Sequence, residues 1–198
     1  MTSVAADPAV DAAGSRRMAV PGQPDMWAFV LFETLVFTAY FAFYLYNRGR
    51  HPELYLQAQS HLHLGWGLLN TITLLTSSWA VARCVSNARH QDWRQAVTSA
   101  CVTAGCGVLF LLSKVAEWTT QIHAGNTLSS NEFFSYYYFL TAIHLLHLLI
   151  GFVVLGVLIV QLRSPLRRSH ELIETCATYW HTVDYLWVLI FALLYVVR

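Results

Sequence analysis

Five stretches of this chain are long and apolar enough to cross a bilayer, a crossing that takes about 20 residues. They run from about Met26 to Tyr46, Leu64 to Val85, Ala96 to Trp118, Phe133 to Leu162 and Glu174 to Val197. A chain of 198 residues that is 56% hydrophobic and only 12% charged carries too much apolar surface for a soluble domain of its size. A membrane is the solvent it calls for. In hydrocarbon every backbone polar group must be satisfied internally, which leaves helices and closed barrels. Barrel strands would alternate and turn about every ten residues, and no such alternation is present. The expected fold is all-α, a polytopic membrane bundle of five transmembrane helices spanning residues 26–198 as one domain.

The linkers SNARHQDWR, HAGNTLSSNE and RSPLRRSH are short and polar, so sequential helices should pack as antiparallel neighbours. Capping chemistry marks the boundaries: Asp25 precedes the first apolar run, and Ser129 with Glu132 forms an S-x-x-E box before the fourth. Residues 1–25 lack periodicity and are expected to form a mobile tail. They do not read as a signal peptide, because only Met18, Ala19 and Val20 separate Arg16 and Arg17 from Pro21.

Basic residues set the expected orientation. Arg16, Arg17, Arg83, Arg89, Arg94, Arg163, Arg167 and Arg168 fall on one side, against Arg48, Arg50 and Arg198 on the other. The amino terminus should be cytoplasmic and the carboxyl terminus outside. A net charge of +1 with no clustered basic face gives no reason to expect nucleic acid as a partner. Cys84, Cys101, Cys106 and Cys176 lie in or beside apolar spans without a C-x-x-C pair, and read as packing residues.

The informative residues are the polar ones inside the spans: Glu33 in the first, Lys114 and Glu117 in the third, His144 and His147 in the fourth, His181 and Asp184 in the fifth. Three of these are i, i+3 pairs, which place both members on one helix face. Lipid would satisfy none of them, so the faces should look inward or toward a partner protein. Lys114 and Glu117 either neutralise one another or snorkel to the interface. His181 and Asp184 read as a hydrogen-bonded lock between helices, with proton carriage as the alternative. Glu33 has no evident partner within a turn. Ala100 with Ala104, and Thr103 with Gly107, are small residues four apart that let a second helix approach closely. Tyr136, Tyr137, Tyr138 and Trp118 read as interfacial anchors on the outer side.

The polar set has two sharper possible uses. His144, His147 and His181 with the carboxylates could ligate haem or a metal, since imidazole serves both. Leu145, Leu146, Leu148 and Leu149 crowd the fourth-span histidines against a macrocycle, and no span holds the E-x-x-H pairs of a di-iron site. A transport path would call for repeats or helices broken by proline, and no span contains a proline.

Five motifs in order, MWAFVLFETLVF, LLNTITLLTSS, LFLLSKVAEW, YYYFLTAIHLLHLLIG and YWHTVDYLWVLIFALLYVVR, resemble the subunit III family of haem-copper terminal oxidases over nearly all of Asp25 to Arg198. The last is the most specific: Tyr-Trp-His, an aspartate three residues after the histidine, then a tryptophan. The resemblance implies a noncatalytic subunit of the plasma (inner) membrane that packs against a catalytic subunit I. It implies bound phospholipid, support of proton uptake, and no cofactor on this chain, the haem and copper lying in the partner. It carries Glu33, Glu117, His144, His147, His181 and Asp184 onto the family's buried glutamate, third-motif glutamate, paired histidines and final pair. The chain departs from the family pattern by beginning at the equivalent of the third of seven helices, by Leu145 where glycine is common, and by Lys114 where glutamine is common. The lysine is similar to a NorE-like branch, accessory to nitric oxide reductase, which makes that enzyme's catalytic subunit the other candidate partner. The competing expectation is a membrane protein that carries haem or metal itself.

Overall fold

A computed structural model describes residues 24–165 and 168–197, so nearly all of the expected tail, with Arg16, Arg17, Arg167 and Arg198, lies outside the described residues. The described residues fold as helices without a strand: α1 (Pro24–Arg50), α2 (Pro52–Ser60), α3 (Leu64–Arg89), α4 (Trp93–His123), α5 (Glu132–Arg163) and α6 (His170–Phe191), which runs into a π-helical turn over Ala192–Val196. All but α2 are long and apolar enough to span a bilayer.

Local chemistry sets the ends. Asp92, Asn131 and Ser169 cap α4, α5 and α6, accepting from the backbone N–H of Gln95 (3.2 Å), Phe134 (2.9 Å) and Leu172 (3.3 Å). Asn131, rather than the Ser129 of the expected capping box, therefore starts α5, because the chain turns through Thr127–Ser130 before the helix begins. Asp25 lies within the first turn of α1, not ahead of it. At the end of α4, Gly125 takes φ +85°, and Asn126 N–H reaches Gln121 O at 3.0 Å. This is the left-handed closing turn that favours glycine.

The short helix α2 falls between the first two expected spans. Pro52 at its first position and Glu53 in its first turn suit a helix start, while nine residues cannot cross a membrane, so α2 serves instead as a clasp. Gln59 donates from Nε2 to Leu194 O and Val197 O, both at 2.9 Å, holding the end of the π turn. Gln121 Nε2 ties α4 to His61 O, just past α2, at 2.9 Å. Tyr55 packs edge-on against Phe133 and Tyr44. Burial pushes its hydroxyl above the usual tyrosine range, so it stays protonated.

The most buried span is α6, at the centre; α1 is the most peripheral, with Leu31 and Leu35 each 70% exposed. Other exposed leucines and valines, such as Leu112 and Val153, leave an apolar outer surface suited to lipid. Close approach of the helices rests on the small residues. Ala100 and Thr103 are buried facing α3, whose Ser77 hydroxyl donates to Thr103 O at 3.3 Å, and Ala104 is half-buried. Gly107 faces inward: a Cβ there would stand 3.0 Å from the rings of Phe152 and Trp180. A Cβ at Gly151 would meet Trp180 at 2.9 Å, so the two glycines together make the slot that this indole fills.

Candidate functional site

The polar residues do not form one network; they divide into four places. The first is a sealed ionic cluster. Lys114 and Glu117 lie on one face of α4, 0% and 1% exposed, joined at 2.9 Å from Nζ to Oε2. Neutralisation, not snorkelling, is their arrangement. An ammonium has three N–H donors and no acceptor. Lys114 spends the other two on Tyr137 Oη of α5 (3.2 Å) and Tyr195 Oη of the π turn (2.8 Å). Tyr195 in turn donates to Glu117 Oε1 at 2.5 Å. The rings of Tyr137 and Trp187 stand 4.6 and 5.2 Å from Nζ, adding cation–π attraction where no water competes. Every donor of Lys114 is met, which is the condition for holding a charge away from water.

The second place joins α1 to α5. His147 Nε2 lies 3.3 Å from Glu33 Oε2, with both side chains half-buried, so the partner of Glu33 is on another helix. His147 Nδ1 is 2.9 Å from Ile143 O. A carbonyl only accepts, so in that bond Nδ1 is the donor and carries the hydrogen. Phe37 covers the imidazole edge-on, and Tyr179 Oη donates to His147 O at 3.1 Å.

The third place is the final motif. His181 and Asp184 are not bonded to one another. His181 Nδ1 is 2.7 Å from Ser78 Oγ, so the lock between helices is α6 to α3 through Ser78. Two indoles extend it: Trp180 Nε1 donates to Ser77 Oγ at 2.8 Å and Trp187 Nε1 to Thr71 Oγ1 at 3.1 Å. Asp184 is buried on the same helix, its carboxyl near the Ser78 hydroxyl. The fourth place is His144, wholly buried between Phe110 and Trp187 with ring centroids at 5.4 and 5.2 Å, its two nitrogens without a hydrogen-bond partner among the described residues.

The three histidines thus face different neighbours. Among the described residues no group of three His, Cys, Asp or Glu side chains is placed to hold a metal ion. All four cysteines are free.

Of the three tyrosines before the paired histidines, Tyr137 and Tyr138 are buried in the bundle and Tyr136 is half-buried. Tyr137 belongs to the lysine cluster, Tyr136 Oη accepts from Asn47 Nδ2 at 2.6 Å, and Tyr138 Oη donates to Asn126 O at 2.7 Å. Their hydroxyls meet polar groups of the protein. Sequence reasoning missed Tyr137, Tyr195 and Ser78 as members of the site. For Tyr195 a signal existed: Trp180, Asp184, Trp187, Phe191 and Tyr195 recur at spacings of four and three, the inward stripe of a helix.

The family model of cytochrome c oxidase subunit III matches residues 14–197. The cytochrome c oxidase subunit 3 of Synechocystis sp. is 31% identical over 182 residues, covering 88% of this chain and 77% of the relative. The quinol oxidase subunit 3 of Bacillus spizizenii is 27% identical over 173 residues, covering 85% of this chain and 83% of the relative. A heme-copper oxidase subunit I+III of Aeropyrum pernix is 28% identical over 184 residues, covering 87% of this chain but 22% of the relative. A match this long, over a helical membrane bundle, makes the chain a member of the cytochrome c oxidase subunit III family.

Proposed function

We propose that this chain is a noncatalytic accessory subunit that packs against the catalytic subunit I of a haem-copper oxidase, stabilises it, and supports its electron transfer and proton uptake. The Aeropyrum relative carries the reading: its name places subunits I and III in a single chain, and this chain aligns with only 22% of it. A partner that can be covalently joined is one whose surface lies alongside. Four membrane places occupied by internal hydrogen bonds, ring packing and one ion pair suit a scaffold, with haem and copper held by the partner.

The bundle sits in the plasma membrane with its amino terminus cytoplasmic and its carboxyl terminus outside, because Arg83, Arg89, Arg94, Arg163 and Arg168 gather at one end of the helices. A tag at the carboxyl terminus is therefore labelled by an impermeant reagent in intact cells, and labelling only after lysis contradicts this orientation. Phospholipid fills the grooves on the bundle's outer surface.

A second reading follows from Lys114. In a NorE-like chain the partner is the catalytic subunit of nitric oxide reductase, and the buried lysine is the residue that favours it. The competing reading, haem or metal on this chain itself, is separated by substitution. His181→Ala removes the bond to Ser78 and is expected to lower the yield of the complex severalfold while the partner's haem absorption stays in place. If instead the purified chain shows its own haem or metal, lost in His144→Ala or His147→Ala, the accessory role is wrong.

A further inference from the structure

The outward strip of α6 is polar at the depth of the hydrocarbon. Glu174, Thr178, His181, Tyr185, Val188 and Ala192 recur at spacings of four and three, and each is half-buried or exposed although α6 is the most buried span. They form one stripe along the helix. It opens between α3, tied to α6 through Ser78 and His181, and α1, which meets α6 at Phe29 and Tyr179 with ring centroids 5.8 Å apart.

Depth singles out two of these residues. The span runs from His170 to Val196, so its middle falls at Val183, and His181 and Tyr185 stand on either side of that point. One turn apart on one face, they place two polar tips near the centre of the hydrocarbon. Neither tip is met within the described residues. His181 Nδ1 meets the Ser78 hydroxyl at 2.7 Å, with the Asp184 carboxyl near the same hydroxyl, which leaves Nε2 without a hydrogen-bond partner among them. Tyr185 is 50% exposed, and its hydroxyl has none there either. Other outward hydroxyls, those of Thr38 and Thr76, return to carbonyls of their own helices at 2.6 and 2.8 Å. His181 Nε2 and Tyr185 make no such return, and from the middle of a span neither side chain is long enough to reach a headgroup.

We propose that this strip is the docking face for a transmembrane helix of the catalytic subunit I, one that carries polar side chains at the same depth: an acceptor for the Tyr185 hydroxyl and, one turn away, a hydrogen-bonding group for His181 Nε2. Acyl chains satisfy neither tip, whereas a protein helix brings side-chain partners to that depth. Ser78 holds the imidazole in place, so the strip is ordered before the partner arrives. By contrast, α1 turns Leu31, Phe32 and Leu35 outward, 62–70% exposed and wholly apolar, which is a face for lipid. The inference rests on the partnership proposed above and adds where the two chains meet.

The test uses the complex from native-host membranes, with a photocrosslinking residue at Leu189, one turn from Tyr185 on the same strip, and in a second preparation at Leu35 of α1. After illumination and purification in mild detergent, mass spectrometry should find Leu189 joined to a transmembrane segment of subunit I that holds a polar side chain, and Leu35 joined to lipid. Tyr185→Phe removes one oxygen and no contact within the described residues. It should speed the loss of subunit I from the detergent-held complex about three- to fivefold, the worth of one hydrogen bond between helices, while the thermal midpoint of the full chain purified by itself stays unchanged. If subunit I is recovered but crosslinks from Leu35 rather than Leu189, or if Tyr185→Phe leaves its retention as it was, the docking face lies elsewhere while the accessory reading stands. A crosslink from Leu189 to a second copy of this chain or to lipid alone also overturns the inference, as does a lowered midpoint of the chain by itself. Recovery without any subunit I would bring down both.

Discussion

Lys114→Ala is expected to cost the folded bundle about 3–5 kcal/mol, the range for breaking a buried ion pair from one side. The size follows from what is left behind. Glu117, 1% exposed, stays buried with tyrosine hydroxyls but no cation beside it, and Tyr137 loses its contact with the ammonium. The lysine also bridges three helical elements, since its acceptors come from α4, α5 and the π turn, so the loss is felt across the bundle. Reversible unfolding in mixed micelles would measure it. The double variant Lys114→Met with Glu117→Met should recover most of the loss, because a buried pair replaced by apolar side chains of similar volume is often close to neutral. If Lys114→Ala costs less than about 1 kcal/mol, the range of exposed pairs, the cluster is not what holds these elements together.

Trp180→Ala should be comparably severe, about 3–5 kcal/mol as for other large buried aromatics. The indole is fully buried in the slot over Gly107 and Gly151, stacks edge-on with Phe152 at 5.9 Å, and bonds Ser77 at 2.8 Å. Two glycines whose backbones approach so closely leave no side chain that can swing in to fill the space. Trp79→Ala is the contrast, because Trp79 is 62% exposed and should change stability little. Thermal unfolding of the two variants in the same detergent separates them. Similar midpoints would mean that the slot collapses around the vacancy and that the small residues of α4 and α5 do not define the packing.

The five spans were legible because their signal is composition over a length that a bilayer dictates: α1, α3, α4 and α5 each enclose one of the expected stretches, and α6 with its π turn covers the fifth up to Val196. The clasp α2 escaped because its pattern, Tyr55, Ala58 and Gln59, is too short to stand out from a linker, although Pro52 and Glu53 were a start signal. Within the site, the Lys114 to Glu117 contact was legible because both partners lie one turn apart on one helix. The partners of Glu33 and His181 were not: His147 and Ser78 lie 114 and 103 residues away along the chain, and only the packing of α1 on α5 and α3 on α6 brings them near. The i, i+3 spacing of His181 and Asp184 placed both on one face but could not show whether they bond to one another or across to a neighbour. The inward hydrogen bonds of the α5 tyrosines were illegible for a related reason. An aromatic residue with a polar tip suits a headgroup region and a buried acceptor equally well, and the deciding fact, Lys114 Nζ within 3.2 Å of Tyr137, is tertiary.

The central claim is that this chain works beside a catalytic subunit. The most direct test is to tag it in its native host, solubilise the membranes in mild detergent, and identify by mass spectrometry what is recovered in equal amount. A subunit I carrying haem should accompany it, either of an oxidase or of nitric oxide reductase, and its identity chooses between the two branches. Recovery of the chain alone, with haem or metal of its own, would contradict the account and return His144, His147 and His181 to the role of ligands.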